Sequence, residues 1–237
     1  MNPSVRVGYV DAHNHLQDAW LKPHRAQVFS DLARIPLRAA LVNGTCEQDW
    51  DDVAELARSH AFVIPSFGLH PWYVGNASPT WRDTLQRHLD AHPAAGLGEI
   101  GLDRWIVERA RPDDPRLAGL RRASLEEQRE VFLQQLSWAT ERNLPVTVHC
   151  LDAWGALIEV LRSTRLPARG FLLHAYGGSS ELAREFAALG AYFSFNGYFL
   201  GERHAARREV FQHLPADRLL AETDAPAMPL PPTLAQH

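Results

Sequence analysis

Apolar and polar positions along the chain follow two rhythms. Short apolar runs occupy residues 5–10, 38–42, 62–67, 96–100, 145–148, 169–173, 191–195 and 218–221. Each is four to six residues long and bounded by polar or turn-forming segments, as a buried strand would be. Between them lie longer stretches with helical periodicity. In "SLEEQREVFLQQLSWATERNL", Phe132, Leu133, Leu136 and Ala139 fall at helical spacing, and Ser124 followed by Glu127 is a capping-box signature. "DAWGALIEVLRST" and "SSELAREFAALG" read as two further helices, the second closed by Gly190.

Strands separated by helices predict a parallel sheet with right-handed crossovers. Eight of them point to an α/β fold of the (β/α)8 TIM-barrel class rather than an open doubly wound sheet. No Gly-x-Gly-x-x-Gly follows any run, so a dinucleotide fold has little support. A single domain over residues 1–237 is expected. One element is missing, because after the eighth run only "APAMPLPPTLAQH" remains, proline-rich and too short for a closing helix. The barrel is therefore expected to lack its last helix or to be truncated there. Residues 104–122 form a long connection carrying Arg104, Arg109, Arg111, Arg116, Arg121 and Arg122. A solvated loop and a phosphate-contacting flap both fit that stretch.

Composition narrows the picture. The 237 residues are 46% hydrophobic and 22% charged, which suits a globular protein with a full core. The net charge of −4 argues against coating nucleic acid through bulk charge, but not against a local basic patch. Lys22 is the only lysine; the other basic residues are arginines, the better bidentate phosphate ligands. Cys46 and Cys150 lie far apart and form no Cys-x-x-Cys pattern, so a cytoplasmic location without disulfides is expected. "MNPSVRVG" has no apolar signal core, and no apolar run approaches the roughly 18 residues of a membrane span, so no membrane association is expected.

The candidate chemistry gathers where the runs end. "DAHNH" closes the first, "GLHP" the third, "GEIGLD" the fourth, "VTVHC" the fifth, "LLHAY" the sixth and "AETDAP" the eighth. In barrels of this class the active site lies at that end of the strands. His13 and His15 are two residues apart, so both can face the barrel interior and bind one metal. Taken singly, each candidate has an ordinary structural explanation: Glu99 an ion-pair partner, His149 and His174 satisfied core histidines, Asp224 a turn cap. Together, His13, His15, Glu99, His149, His174 and Asp224 place six metal-type ligands on five strand ends. Mixed imidazole and carboxylate donors suit zinc, manganese, iron or nickel better than calcium. Six exceed the needs of one catalytic zinc, whereas two ions roughly 3.5–4 Å apart with a bridging carboxylate use them all.

"VDAHNHL", "GLHPW", "GEIGLD", "EEQREVFLQQLSWATERNLPVTVHC", "LLHAYGGS", "YFSFNG" and "LLAETDAP" together resemble the TatD family of metal-dependent hydrolases, amidohydrolase-like TIM barrels, over about residues 5–226. The resemblance implies a deoxyribonuclease that cleaves phosphodiester bonds of DNA, typically a 3′→5′ exonuclease. It implies two divalent metal ions as cofactors, variously zinc, manganese or magnesium. It assigns His13, His15 and Asp224 to the first metal, Glu99 to the bridge, and His149 and His174 to the second. Asp224 and Glu99 become the catalytic carboxylates, with Asp224 orienting or deprotonating the attacking water. His70 becomes a substrate contact. Asp103, of the same strand parity as Glu99, becomes a support behind the ligands. Residues 176–179 form a small-residue loop, either an approach to phosphate or an ordinary turn. Cys150 has the opposite parity to its neighbouring ligand and reads as a small buried hydrophobe.

Two departures bear on substrate. Leu151 stands where the family commonly has an arginine, and Arg104 where it often has tyrosine. DNA is the expected substrate, with RNA or small esters as further candidates and no obligate protein partner. An esterase or deacylase using the same metals, for example on aminoacyl-tRNA, is the alternative enzyme. A non-catalytic binding module on a degenerate barrel is a third reading, and the complete ligand set argues against it.

Overall fold

The computed structural model describes residues 8–232 and residue 234. Residues 5–7 of the first apolar run, and four positions in the terminal segment, lie outside the described residues. The strands are β1 (Tyr9–Asn14), β2 (Leu37–Asn43), β3 (Val63–Phe67), β4 (Gly96–Asp103), β5 (Val146–Leu151), β6 (Phe171–Leu173), β7 (Ala191–Asn196) and β8 (Leu219–Glu222). They pair in parallel and in chain order. Just beyond β8 the chain returns to β1: the Asp224 N–H donates to the His13 carbonyl at 2.9 Å, and the His15 N–H to the Ala225 carbonyl at 2.8 Å. The fold is the expected (β/α)8 TIM barrel.

The apolar runs mark only the lower part of several strands. β1 continues to Asn14, β4 to Asp103 and β5 to Leu151, three or four residues beyond the runs at 5–10, 96–100 and 145–148. Near the mouth the interior accepts polar side chains, so hydrophobicity fades while the backbone ladder continues. The candidate ligands His13, Glu99 and His149 therefore sit within strands rather than on loops. Gly101 explains how β4 and β5 come so close: its φ is 149°, and a Cβ there would lie 1.9 Å from the His149 carbonyl oxygen.

Helices α1 (Arg25–Leu32), α2 (Trp50–Ser59), α3 (Trp81–Ala91), α4 (Trp105–Glu108), α5 (Leu125–Arg142), α6 (Trp154–Ser163), α7 (Ser180–Ala188) and α8 (Ala205–Gln212) connect the strands. The capping box of α5 is formed in both directions, Glu127 N–H to Ser124 Oγ at 3.2 Å and Ser124 N–H to Glu127 Oε2 at 2.8 Å. Gly190 follows α7 with φ 95°, the left-handed position expected of a C-terminal glycine. The buried face of α5 carries Phe132, Leu136 and Ala139, and also two fully buried glutamines, Gln128 and Gln135.

Among the described residues no helix follows β8. Tyr9 and Val10 of β1 and Leu220 of β8 are exposed. No helix among the described residues is long and apolar enough to cross a membrane.

The connection from residue 104 to 122 includes α4, and its arginines are engaged within the protein. Arg104 pairs with Glu108, Arg109 with Asp152, Arg111 with Asp113, Arg116 with Asp114 and Arg121 with Glu127. Arg122 donates to the Ala110 carbonyl. These bonds favour the solvated loop over the phosphate flap.

Candidate metal centre

Five strand ends bring the six predicted ligands into one buried cluster. His13 Nε2 and His15 Nε2 lie 3.1 Å apart. Each is 3.3–3.5 Å from Glu99 Oε2 and from Asp224 Oδ1. Donors about 2.0–2.2 Å from a tetrahedral zinc would be separated by roughly 3.3–3.6 Å, and His13, His15 and Asp224 form a group close enough to hold one cation. On the other side of Glu99, Oε1 lies 3.0 Å from His149 Nδ1 and 2.9 Å from His174 Nε2. Those two nitrogens are 3.3 Å apart. The two oxygens of Glu99 thus face two separate groups of imidazoles. His13 stacks on His174 with ring centroids 4.0 Å apart, which joins the groups from β1 to β6.

Hydrogen bonds behind the rings set which nitrogen faces inward. His15 Nδ1 donates to the Asn43 carbonyl at 2.8 Å, leaving the Nε2 lone pair for a metal. His149 Nε2 donates to Asp103 Oδ2 at 3.0 Å, leaving Nδ1. Asp103 also accepts from Trp72 Nε1 at 2.6 Å and from the Ile106 N–H at 2.9 Å. It stands behind His149, an arrangement by which carboxylates commonly orient metal-binding imidazoles.

His70 lies closer to the cluster than a distant substrate contact would, with Nε2 3.5 Å from Glu99 Oε1. Its tautomer separates it from the ligands. His70 Nδ1 accepts the Trp72 N–H at 3.2 Å, so the ring proton sits on Nε2, which points inward as a donor. Burial pushes its pKa down to about 3, and the ring is neutral.

The charge balance has a single demand. Burial disfavours ionised Glu99, yet the surrounding imidazoles, His174 foremost, hold its pKa well below the usual range. Burial likewise opposes ionisation of Asp224, and hydrogen bonds from His13 and His15 outweigh it and lower its pKa. Burial would lower the imidazoles, but His15 and His174 are raised well above the usual value by Asp224, Glu99 and Glu222, and His149 is raised to about 9 by Asp103 and Glu99. Two buried carboxylates thus draw positive charge into the cluster, and divalent cations meet that requirement with the same donors. The donor types, their spacing and this balance all fit metal ions.

Three supporting residues escape the sequence reading. Asp11 accepts from the Thr223 N–H at 3.0 Å and the Thr223 hydroxyl at 2.7 Å, fastening β1 to the residue before Asp224. Glu222 accepts the Ala175 N–H at 3.0 Å and the Ser194 hydroxyl, and lies 3.9 Å from His174 Nδ1. It steadies Ala175, whose φ of 42° is costly for a residue with a side chain. The Asn43 carbonyl behind His15 is the third. The two-residue spacing that pairs His13 with His15 also links Asp11 to His13 and Glu222 to Asp224, so a signal for the two acids was present.

The remaining expectations fall into place around the rim. Cys150 is buried in the core. Tyr176 is buried and its hydroxyl donates to the Ser179 carbonyl at 2.8 Å, while Ser179 Oγ caps α7 by accepting from the Leu182 N–H at 3.3 Å. Residues 176–179 are therefore a structured turn beside the mouth.

Known proteins resemble the chain over most of its length. Residues 10–236 match the family described as TatD related DNase. The chain is 29% identical over 219 residues to YabD of Bacillus subtilis, a metal-dependent hydrolase by name, covering 91% of this chain and 79% of that one. It is 31% identical over 200 residues to the 3′-5′ ssDNA/RNA exonuclease TatD of Cronobacter sakazakii, covering 82% of this chain and 69% of the relative. The crystal structure of the TatD homologue YjjV of Escherichia coli superposes with a TM-score of 0.79 at 29% identity, covering 94% of this chain and 82% of that chain.

Proposed function

Because the chain belongs to the TatD-related DNase family of metal-dependent hydrolases, we propose that it is a two-metal phosphodiesterase that removes nucleotides from the 3′ end of single-stranded DNA, with RNA as a second substrate. The observation that carries this reading is the division of Glu99. Its Oε2 lies 3.3–3.5 Å from His13 and His15, and its Oε1 lies 2.9–3.0 Å from His174 and His149. One carboxylate so placed would bridge two ions, with His13, His15 and Asp224 holding the first and His149 and His174 the second. Zinc and manganese suit these donors best, and magnesium remains a candidate through the carboxylates.

Bound there, divalent ions supply Lewis acidity to the phosphoryl oxygens and offset the charge that builds in the transition state. The chain supplies positioning and proton transfer. Asp224 is ionised and buried at the mouth, where its carboxylate can orient the attacking water and accept its proton. Its backbone is fixed by the bond to His13 and by the neighbouring Asp11–Thr223 contact. Neutral His70 directs its Nε2 proton into the site, where it can donate to a substrate oxygen. Asp103 keeps the His149 ring in the orientation that leaves Nδ1 available. The exonuclease relatives favour phosphodiester substrates over the ester-cleaving alternative.

The deciding experiment uses a single-stranded DNA carrying a 5′ label. Metal-loaded protein is expected to yield a ladder that shortens from the 3′ end, and chelated protein no products. Full activity in demetallated protein, or no cleavage by the loaded enzyme, would sink the proposal.

A further inference from the structure

The arginines of the 104–122 connection are tied up by neighbouring acids and carbonyls. One arginine at the mouth is not. Arg207 is the third residue of α8, the helix that follows β7, and so stands on the same face of the barrel as the metal cluster. Among the described residues it donates no hydrogen bond and forms no ion pair; its recorded contact is a cation–π approach, Cζ 4.9 Å from the centroid of Phe199. The side chain is half-buried, and burial lowers its pKa with only the charge of Asp152 acting against it. Asp152 is itself paired with Arg109 at 2.9 Å. The guanidinium is thus held against an aromatic ring while its N–H groups are left without a protein acceptor among the described residues.

The local packing aims this group. A Cβ at Gly177 would lie 3.1 Å from Arg207 Cζ, 3.1 Å from Nη2 and 3.2 Å from Nη1. Near-equal distances to three atoms mean that the guanidinium presents its face to Gly177, an approach that a side chain there would crowd. With a peptide against the plane and an aromatic ring nearby, the N–H groups along the edge remain unbonded. That edge is a planar fork suited to two oxygens of one phosphate. Gly177 is three residues beyond His174, so their Cα atoms are at most roughly 11 Å apart. A strand whose scissile phosphate sat among the ligands would pass this arginine.

We propose that Arg207 is a substrate-positioning residue that binds a phosphate flanking the scissile one. The proposal rests on the phosphodiesterase reading above. It explains the half-buried, unpaired charge, and it gives the Gly177 turn beside His174 a part in holding substrate.

The test compares a single-stranded oligonucleotide with bis(4-nitrophenyl) phosphate, which has one phosphate and no flanking one. In metal-loaded Arg207→Ala, the ratio of kcat/KM on the oligonucleotide to that on the aryl diester should fall about tenfold, chiefly through KM. The slope of log affinity against log salt for the oligonucleotide should become shallower by about 0.7, the loss of one phosphate contact on a single strand. Arg207→Lys should restore the salt slope and part of the ratio, because charge returns without the fork. An unchanged ratio and slope, with wild type cleaving both substrates, overturns the role of Arg207 and leaves the nuclease reading intact. Equal losses on both substrates with a lowered Tm and an unchanged slope would show a structural role and also overturn it. A loaded wild type that cleaves neither substrate overturns the nuclease reading, and this proposal with it.

Discussion

The two halves of the metal cluster are built by different means. The half made by His149 on β5 and His174 after β6 is gripped from outside, on the side of β3 and β4, by α5. Gln128 accepts the Asp103 N–H at 2.7 Å and donates to the Asp103 carbonyl at 3.0 Å, while Gln135 accepts the Leu69 N–H at 2.8 Å and donates to the Leu69 carbonyl at 3.2 Å. Two buried glutamines seven residues apart on one helix face thus fix the backbone beside His149's partner and beside His70. The half at the β8–β1 seam has no covering helix among the described residues. It is held by the strands' own polar groups: Asp11 on Thr223, Asp224 on His13 and His15 on Ala225. One half borrows rigidity from the scaffold, and the other makes its rigidity from residues next to the ligands. Substitutions behind the first should act on one ligand's orientation, and substitutions behind the second on the closure of the barrel as well.

Glu99 belongs to both halves, so changing it should erase the difference between them. Glu99→Gln is expected to lower activity on the order of a thousandfold, as for loss of a central charge-stabilising group. Elemental analysis should find less than one ion per chain. Two ions retained at full occupancy would show that Glu99 is not the bridge. Separating the halves is the next largest effect. The double variants His13→Ala with His15→Ala, and His149→Ala with His174→Ala, should each retain about one ion per chain in a folded barrel, judged by circular dichroism and elemental analysis. If either pair loses both ions, the halves are not independent sites.

Much of this candidate site was legible in the sequence because its residues lie in strands or within two residues of their ends. A spacing of two keeps His13 and His15 on one face, and barrel strands end on a common surface, so six polar residues at or near the ends of apolar runs could be gathered without a structure. Strand lengths were less legible, because the ladder continues through Asp103 and Leu151 after the apolar signal has faded. The supports were hidden for another reason. Gln128 and Gln135 look like tolerated polar residues on an apolar helix face, and only the three-dimensional path of β3 and β4 gives their amides a purpose. The position of the proton on His70 depends on the Trp72 backbone. Arg207 could not be told from the six arginines of the 104–122 connection until each had been matched with its partner.

Behind the gripped half, Asp103→Ala leaves the His149 Nε2 proton and the Trp72 indole without their acceptor. It should weaken metal binding at the second position by about 10–100-fold, with the first position nearly unaffected. Titration of the demetallated protein with zinc, followed calorimetrically, would separate the two. Equal weakening of both positions would remove the distinction between the halves.

The smallest effect is expected at the seam, and it is of another kind. Asp11→Ala removes the acceptor of both the Thr223 N–H and its hydroxyl, and the one that also receives the His13 N–H at 3.3 Å and Asn14 Nδ2 at 3.1 Å. Thr223 is exposed, so water can replace part of what is lost, and a destabilisation of about 1–2 kcal/mol is expected. If the polar groups of the seam hold β8 to β1, that loss should be concentrated there. Amide hydrogen exchange at Asp224, which bonds the His13 carbonyl, and at His15, which bonds the Ala225 carbonyl, should accelerate more than exchange in β4 and β5. Uniform acceleration around the barrel would mean that the seam opens only with the whole fold. Its stability would then come from the core rather than from the residues beside the ligands.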